Sequence, residues 1–261
     1  DTGCEYVLQR INKYVFKDPI KLMINASAVT NFLRDRVDDP RMALHFIATH
    51  EGQFYFRDDM DEFWRMYDFV GGFSLDLPES DEDFYQSALA FGRFQELLSD
   101  FPATSLFEII PNFHNTPDRY RLFREAIARD PMDRVKDVQP EIDFILSHEE
   151  TVCRPQHMLE EGILPIRVTH NDTKLNNVLL DRKTRKSLCV LDLDTVMPGR
   201  IGHDFGDAIR FAANFVEEDC KDYEKAGVDL DVFRAFAEGF LSKTANTMTE
   251  TELETLALSA F

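Results

Sequence analysis

The sequence predicts an α+β fold in two unequal parts. Residues 1–72 are expected to form a small sheet with one helix, and residues 73–261 a larger, mainly helical part. Segments with the two-residue alternation of strands are concentrated before residue 70, whereas helical periodicity and N-terminal capping residues dominate after residue 80. The stretch Gly71–Pro78, with two glycines and a proline, separates the two patterns and is the predicted hinge.

The first part contains four predicted segments: a strand at 5–11, a helix at 18–36, a β-like run at 42–49 and a hairpin at 53–70. The second part contains six predicted helices: 80–98, 116–128, 137–153, 207–216, 231–242 and 249–261. Two short apolar runs, 166–169 and 188–193, are predicted as strands between these helices. The basic cluster at 182–186 is expected to be a solvated hairpin tip.

Charge and cysteine content limit the classes of function. The formal net charge of −19 predicts repulsion from nucleic acid and from anionic membrane, so we expect neither as a partner. No apolar run approaches the length of about 18 residues that a membrane span needs. The four cysteines are scattered without a C-x-x-C pair, which favours free thiols in the cytoplasm.

Polar residues gather where the two central strands end. Asp172 lies five residues before Asn177 and shortly after the first strand, and Asp192 lies at the end of the second. If these strands pair as a hairpin, Asn177 and Asp192 meet at its mouth, facing Asp172, with Lys174 nearby. Phosphoryl transfer to a hydroxyl needs a carboxylate near that hydroxyl, oxygen ligands for Mg²⁺ and a cation. The stretch is therefore predicted to be a phosphotransferase active site.

Four motifs in order resemble those of a known superfamily. They read L-Q-R-I-N-x-x-V-F-K-D-P, F-H-N-T-x-x-R, H-N-D-T-K-L-N-N and D-L-D-T-V-M-P-G…D-F-G-D-A-I-R, and span Leu8 to Arg210. The pattern H-x-D-x-x-x-x-N followed by a strand and D-x-D resembles the aminoglycoside phosphotransferase and choline kinase superfamily. The fuller wording is most similar to the branch that includes N-acetylhexosamine 1-kinase. The resemblance implies a protein-kinase-like fold of two lobes, an N-terminal lobe at 1–72 and a C-terminal lobe at 73–261.

The resemblance also implies roles in the catalytic loop. Asp172 would be the catalytic base, His170 would brace the loop, and Lys174 would contact the γ-phosphate of ATP. The Mg²⁺ ligands it implies are Asn177, Asp192 and, as a further or second-metal ligand, Asp194.

Two residues of the D-F-G-D motif have supporting roles in this interpretation. Asp204 would anchor the catalytic loop by hydrogen bonds. Asp207 would cap the following helix or approach the sugar, and the cap is favoured.

The nucleotide and the acceptor are assigned to other motifs. The resemblance implies that the first strand offers a cation to the phosphates of ATP; the candidate is Arg10, with Gln9 as the alternative if the strand faces the opposite way. The residues expected to border adenine are Met66, Tyr67, Asp68 and Phe69. The resemblance makes His114 and Arg119 candidates for binding the sugar, and the alternative for His114, which precedes a helix, is a hydrogen bond to the helix cap.

The expected function is an ATP- and Mg²⁺-dependent kinase acting on the anomeric hydroxyl of an N-acetylhexosamine. Alternatives are a kinase for choline, homoserine or an aminoglycoside, a catalytically inactive kinase-like binding module, and a metal-dependent phosphohydrolase. The phosphohydrolase is disfavoured because such sites usually add histidine ligands at defined spacing. The chain opens without Met and stops within a helical pattern, so we expect it to be part of a longer chain whose phosphate-binding loop lies outside it.

Overall fold

A computed structural model describes residues 3–216 and 220–261 and has a small N-terminal lobe and a larger helical lobe. The strands are β1 Tyr6–Ile11, β2 Phe56–Arg57, β3 Phe63–Asp68, β4 Arg167–Thr169, β5 Val178–Leu180, β6 Ser187–Val190 and β7 Met197–Gly199. The α-helices are α1 Pro19–Arg34, α2 Asp81–Leu97, α3 Thr116–Arg129, α4 Gln139–Ser147, α5 Glu149–Glu160, α6 Ile201–Ala212, α7 Leu230–Thr244 and α8 Glu250–Leu256. The predicted α+β class is confirmed, whereas the lobe boundary at 72 stays a prediction.

The N-terminal lobe is an antiparallel sheet in the order β1-β3-β2, with Gln9 opposite Arg65 and Leu8 opposite Met66. The predicted hairpin is confirmed as β2 and β3. The predicted β-like run at 42–49 adds only a single bridge, between Phe46 and Tyr67. Ile11 is 1% exposed and faces the core, whereas Gln9, on the same face of β1, is exposed and accepts hydrogen bonds from the buried Arg65.

The predicted pairing of the two central strands is wrong. β4 pairs with β7 and β5 pairs with β6, in two separate antiparallel ribbons. The basic hairpin tip at 182–186 joins β5 to β6, as predicted. Residues 170–177 leave β4 and return at β5, so the catalytic loop spans the gap between the two ribbons. The strand ends still converge, because the Leu191 carbonyl contacts His170 and the Leu191 amide donates to the Asn177 carbonyl.

Two predicted helices differ in extent. The helix predicted at 137–153 is two helices, α4 and α5, with His148 between them. Helix α6 begins at Ile201, six residues before the predicted start. Asp207 therefore lies inside α6, and the favoured prediction that it caps the helix is wrong.

One hydrophobic core links the two lobes. It combines α1 and sheet residues such as Leu22, Phe46 and Phe63 with C-terminal-lobe residues such as Leu106 and Val196. Helix α1 also binds the C-terminal lobe through Asn25, whose Nδ2 donates to the Phe107 carbonyl at 2.7 Å and the Val196 carbonyl at 2.9 Å. The turn that follows β6 is thus held against the N-terminal lobe by packing and by directed hydrogen bonds.

A second core lies where α2 and α7 pack closely. A Cβ added to Gly239 would lie 2.7 Å from the Ala88 Cβ and 2.9 Å from the Tyr85 carbonyl oxygen. A Cβ on Gly92 would lie 2.8 Å from the Phe240 carbonyl oxygen. The two glycines let the helix backbones approach each other, which supports α2 beneath the catalytic loop.

We expect Gly239→Ala to destabilise the protein by about 1–3 kcal/mol, because the added methyl group would force the two helices apart. Urea unfolding of the variant and the wild type measures the difference. Gly71→Ala is the matched control, since nothing lies within 4 Å of a Cβ at Gly71. Equal stability of the Gly239→Ala variant and the wild type would contradict the close packing described.

Candidate active site

The catalytic loop begins at His170, which is fully buried. Its Nε2 lies 2.7 Å from the Leu191 carbonyl oxygen, and its Nδ1 lies 3.3 Å from the Asp172 amide nitrogen. His170 therefore connects the loop to the end of the β5–β6 ribbon. This contact fits the predicted bracing role, which remains a prediction as regards catalysis.

Asp204 of α6 anchors the same loop. Its carboxylate accepts hydrogen bonds from the backbone amides of His170 at 3.0 Å and Asn171 at 2.8 Å, and from Gln95 Nε2 at 2.6 Å. Burial raises the pKa of Asp204, and these amide donors oppose the rise. The predicted anchoring by Asp204 is confirmed. Asn171 has a φ of 67°, a strained conformation for a residue other than glycine, and the anchor stabilises it.

Asp172 lies at the centre of the loop between two donors. Lys174 Nζ is 2.9 Å from its Oδ1, and Asn177 Nδ2 donates to its Oδ2 at 3.0 Å. Asp172, as the nearest partner, raises the pKa of Lys174 and keeps the ammonium charged. The structure thus brings together three of the residues that the sequence selects. The Asn177 side chain also donates to the Asp172 carbonyl at 2.9 Å, which leaves its amide oxygen for another partner.

Asp192 follows β6 with a φ of 54°, a second left-handed residue at the site. Burial raises the pKa of Asp192. The negative charge of the neighbouring Asp194 and, to a lesser extent, that of Asp172 add to the rise. Its carboxylate remains accessible to solvent, and among the described residues it has no hydrogen-bond or ion-pair partner. A carboxylate whose charge is opposed by other carboxylates is a suitable ligand for a cation.

The residues present fit a magnesium ion. Carboxylate and amide oxygens are the donors that Mg²⁺ prefers, and it usually completes its shell with water and substrate phosphates. Asp192 and the amide oxygen of Asn177 meet this requirement. Residues 3–216 and 220–261 contain no cluster of three His, Cys, Asp or Glu side chains that could hold a metal ion by themselves.

Asp194 has a different environment from Asp192. It forms an ion pair with Arg65 of β3, whose side chain is only 4% exposed. Arg65 also donates to Gln9 Oε1 through Nε at 2.9 Å and through Nη2 at 2.8 Å. A chain of contacts therefore runs from β1 through β3 to the turn that carries Asp192. As a metal ligand, Asp194 stays a prediction.

The structure places Arg10 elsewhere than predicted. Its side chain is 61% exposed and lies 4.0 Å from Glu62. Strand alternation is the reason, since Ile11 enters the core and Arg10 must point to the other face. The alternative, Gln9, faces the site and reaches it through Arg65.

The residues predicted to border adenine fall on both faces of β3 and its extension. Tyr67 faces the interior, and burial raises its pKa, with Asp192 and Asp194 adding to the rise. Met66 faces the outer side and lines an apolar cavity of about 430 Å³. The backbone of this segment is already engaged: the Met66 carbonyl accepts from Ile47, and the Asp68 and Phe69 amides donate to the His45 and Glu5 carbonyls. Of the four, only Tyr67 is placed beside the acidic turn.

His114 and Arg119 lie on the other side of the catalytic loop. His114 borders two cavities of about 220 and 260 Å³, and the second is also lined by Arg119, Arg200, His203 and Asp207. The His114 and His203 rings lie 4.5 Å apart. Arg119 donates to the Phe113 carbonyl at 3.0 Å, so part of its guanidinium is already used.

Burial lowers the pKa of His114 from 6.5 to about 4, with Arg200 and Arg119 adding to the effect and Asp207 opposing it. The pKa of His203 is lowered well below its ordinary value, again mainly by burial. Both rings are therefore neutral near pH 7, and each can donate or accept hydrogen bonds. Asp207 accepts from the Thr173 amide at 2.9 Å, which connects these cavities to the catalytic loop.

The lowered pKa of His114 predicts acid sensitivity. The unfolded chain takes up the proton first as the pH falls, so stability should decrease between about pH 6.5 and pH 4, by at most about 1.4 kcal/mol per pH unit for this group. Urea unfolding across this range should show a shallower decline for His114→Gln than for the wild type. His50→Gln, on an exposed loop, should leave the slope unchanged. Identical slopes for the wild type and His114→Gln would contradict the buried neutral state.

Sequence reasoning missed Arg65, Arg200, His203 and Gln95. Arg65 and Gln95 act through partners distant in the chain; Arg65 and Asp194, for example, are 129 residues apart. Arg200 and His203 lie between the quoted segments D-L-D-T-V-M-P-G and D-F-G-D-A-I-R, and this position was the one signal that the sequence offered for them.

The APH model, described as the phosphotransferase enzyme family, matches residues 1–236 of this chain. The chain therefore belongs to the APH phosphotransferase enzyme family. The match includes the anchored catalytic loop, the acidic turn after β6 and the N-terminal sheet.

Solved structures share the fold at low sequence identity. A microcompartment-associated aminopropanol kinase is 17% identical, with a TM-score of 0.65 over 99% of this chain and 75% of that one. The GDP and kanamycin complex of an APH(2″) enzyme is 16% identical, with a TM-score of 0.61 over 99% and 75%. An amicoumacin kinase in complex with AMP-PNP, Ca²⁺ and Ami is 11% identical, with a TM-score of 0.56 over 100% and 81%. These likenesses establish the kinase-like fold.

Two further findings concern the chain as a whole. Across residues 3–216 and 220–261, no helix has the length and apolar character needed to cross a membrane. None of the four cysteines, all of which lie in the described residues, forms a disulfide.

Proposed function

We propose that this protein is a kinase that transfers the γ-phosphate of Mg²⁺-bound ATP to the anomeric hydroxyl of an N-acetylhexosamine. The observation that carries the proposal is the Asp172 carboxylate, held between Lys174 at 2.9 Å and Asn177 at 3.0 Å on a loop anchored to Asp204. Membership of a phosphotransferase family supports the same reaction class.

Asp172 acts as the base in this proposal. Its carboxylate accepts the hydroxyl proton as the acceptor oxygen forms a bond to the γ-phosphorus, while the bond to the β,γ-bridging oxygen breaks and ADP leaves. Lys174, which now pairs with Asp172, turns to the γ-phosphate and offsets its charge. His170 holds the loop in place through the Leu191 carbonyl.

Asn177 and Asp192 would hold the magnesium ion, and Asp194 is proposed as a further ligand if its pairing with Arg65 opens. The ion supplies charge neutralisation at the phosphate oxygens. Burial and the charge of Asp194 raise the pKa of Asp192, and a cation bound at this carboxylate would oppose both effects.

The nucleotide is proposed to lie between the lobes, beside Tyr67, with the other predicted residues of this segment, Met66, Asp68 and Phe69, shaping the strand from which Tyr67 projects. Arg65 and Gln9 face the acidic turn from the same sheet. Arg10, on the outer face, would reach the phosphates only if β1 changed its register.

The hydrogen-bonding groups on the acceptor side support a hydroxyl-rich molecule such as an amino sugar. Two neutral histidines, His114 and His203, offer donors and acceptors, with Arg119 at the edge of the cavity. A cationic acceptor such as choline would meet Arg200 and Arg119, with Asp207 as the one acid among the described residues that line the same cavity. We propose a cytoplasmic location because the four cysteines are scattered without a C-x-x-C pair.

The test is ATP consumption by the full-length protein with Mg²⁺ against a panel of N-acetylhexosamines, simple hexoses, choline, homoserine, an aminopropanol and aminoglycosides. We expect turnover with N-acetylhexosamines alone. Turnover with a different acceptor would retain the mechanism and overturn the sugar assignment. Absence of nucleotide binding would instead favour a kinase-shaped binding module.

A further inference from the structure

Arg200 is a buried arginine that has no counter-ion within residues 3–216 and 220–261. It directly precedes α6 and is only 8% exposed, and no carboxylate of the described residues lies within 4.0 Å of its guanidinium. Its Nε has no hydrogen-bond partner. Burial alone lowers the pKa of Arg200 to about 10, so the side chain remains charged at pH 7. A buried charge without a partner is costly, and such a group normally has one.

The side chain faces open space on two sides. Arg200 lines a cavity of about 300 Å³ with Tyr120 and His148, and a cavity of about 260 Å³ with His114 and His203. The Nε2 atoms of both His114 and His203 are buried without hydrogen-bond partners. Three unsatisfied polar atoms thus meet beside cavities that have room for a small molecule.

The nearest acid on this side is already paired. Asp207 accepts from the Thr173 amide at 2.9 Å and from Arg210 at 3.3 Å. His203 Nδ1 lies 3.5 Å from the Arg200 amide nitrogen, an arrangement that suits the tautomer with its proton on Nε2. The N-terminus of α6, a helix of 12 residues, adds a favourable field for negative charge.

We propose that Arg200, His114 and His203 form a binding site for a small anion, a carboxylate or phosphate group, on the acceptor side of the catalytic loop. The planar guanidinium fork matches both groups in a bidentate arrangement. The neutral histidines add uncharged donors at its side. The anion could be a substituent of the acceptor or a separate small molecule, and the site does not depend on the sugar assignment.

The test uses inorganic phosphate and the full-length protein with saturating Mg²⁺ and ADP, so that the nucleotide phosphate sites are filled. Thermal unfolding is followed in phosphate and in chloride of equal ionic strength. The variants are Arg200→Gln and, as a matched control, Arg234→Gln on α7, whose side chain is 67% exposed. Because phosphate stabilises proteins generally, only the part lost in Arg200→Gln counts.

We expect phosphate to raise the Tm of the wild type and of Arg234→Gln by about 2–4 °C more than it raises that of Arg200→Gln. In chloride, Arg200→Gln should be at least as stable as the wild type, because the variant removes an unpaired buried charge. An equal phosphate shift in all three proteins, or a large loss of stability of Arg200→Gln in chloride, would overturn the proposal.

A second arm identifies the source of the anion. Phosphate that competes with the acceptor in steady-state turnover indicates a subsite for a group on the acceptor. Phosphate that binds through Arg200 without competing indicates a separate anion. The thermal arm needs no turnover, so it stands even if the proposed reaction fails.

Discussion

Replacing the proposed base, Asp172→Asn, should lower kcat by about 10²–10⁴-fold while the affinity for Mg²⁺-bound ATP changes little. The amide keeps the size of the carboxylate and can still contact Lys174 and Asn177, but it cannot accept the hydroxyl proton. Steady-state rates with the acceptor found in the panel, together with nucleotide binding by calorimetry, separate the two effects.

Asp231→Asn is the control for Asp172→Asn. It makes the same chemical change on α7, where the side chain is 85% exposed, and should leave kcat unaltered. Wild-type turnover by Asp172→Asn would remove Asp172 as the base. A large loss of nucleotide affinity would instead assign Asp172 to metal binding.

The second large effect is expected at the ion pair between Arg65 and Asp194. Arg65→Met leaves a carboxylate that is 13% exposed without its partner, which should cost about 3–5 kcal/mol of folding stability. Because the variant also frees the Asp194 carboxylate and removes a positive charge beside Asp192, the surviving folded enzyme should need less Mg²⁺. Urea unfolding and a Mg²⁺ titration of turnover measure the two consequences.

A double-mutant cycle separates this pair from general damage. Arg65→Met combined with Asp194→Asn should cost less than the sum of the two single variants, because the second change removes the unpaired charge. The folding stability of Arg65→Lys should lie between those of the wild type and Arg65→Met. The lysine ammonium keeps the charge but loses the planar guanidinium that also contacts Gln9. Strict additivity of the stability costs would contradict an energetic coupling between Arg65 and Asp194, and so between the two lobes at this point.

The catalytic loop could be predicted because its chemistry is local. Asp172, Lys174 and Asn177 lie within six residues, so one loop brings them together whatever the surrounding topology. The prediction that placed them beside Asp192 assumed the wrong strand pairing. Asp192 nevertheless lies near Asp172 and Lys174 in the structure. Two ribbons, β4 with β7 and β5 with β6, converge at the same loop.

The ion pair with Arg65 could not be predicted, because its partners are distant in sequence. A strand residue that pairs with an acid 129 positions later leaves no periodic signal. The choice between Gln9 and Arg10 depended on which face of β1 is buried. Ile11 decides it in the structure, whereas an alternating sequence with apolar residues on both faces leaves it open.

Helix α6 shows a different limit. Its first turn, Ile201-Gly202-His203, has no strong capping residue in the sequence, so the predicted start moved to Asp207. In the structure, Asp204 and Asp207 both face the catalytic loop from within the helix. Asp207, which accepts a hydrogen bond from the catalytic loop, was interpreted from the sequence as the residue that begins the helix.

The central claim is that the γ-phosphate of ATP becomes bonded to a hydroxyl of a small acceptor. The most direct measurement is ³¹P NMR of a mixture of full-length protein, Mg²⁺, ATP and an N-acetylhexosamine. The account predicts a new phosphate monoester signal, coupled to the anomeric proton, that grows as the γ-phosphate signal disappears in equal amount. Growth of inorganic phosphate alone, with no monoester from this or any other acceptor of the panel, would contradict it.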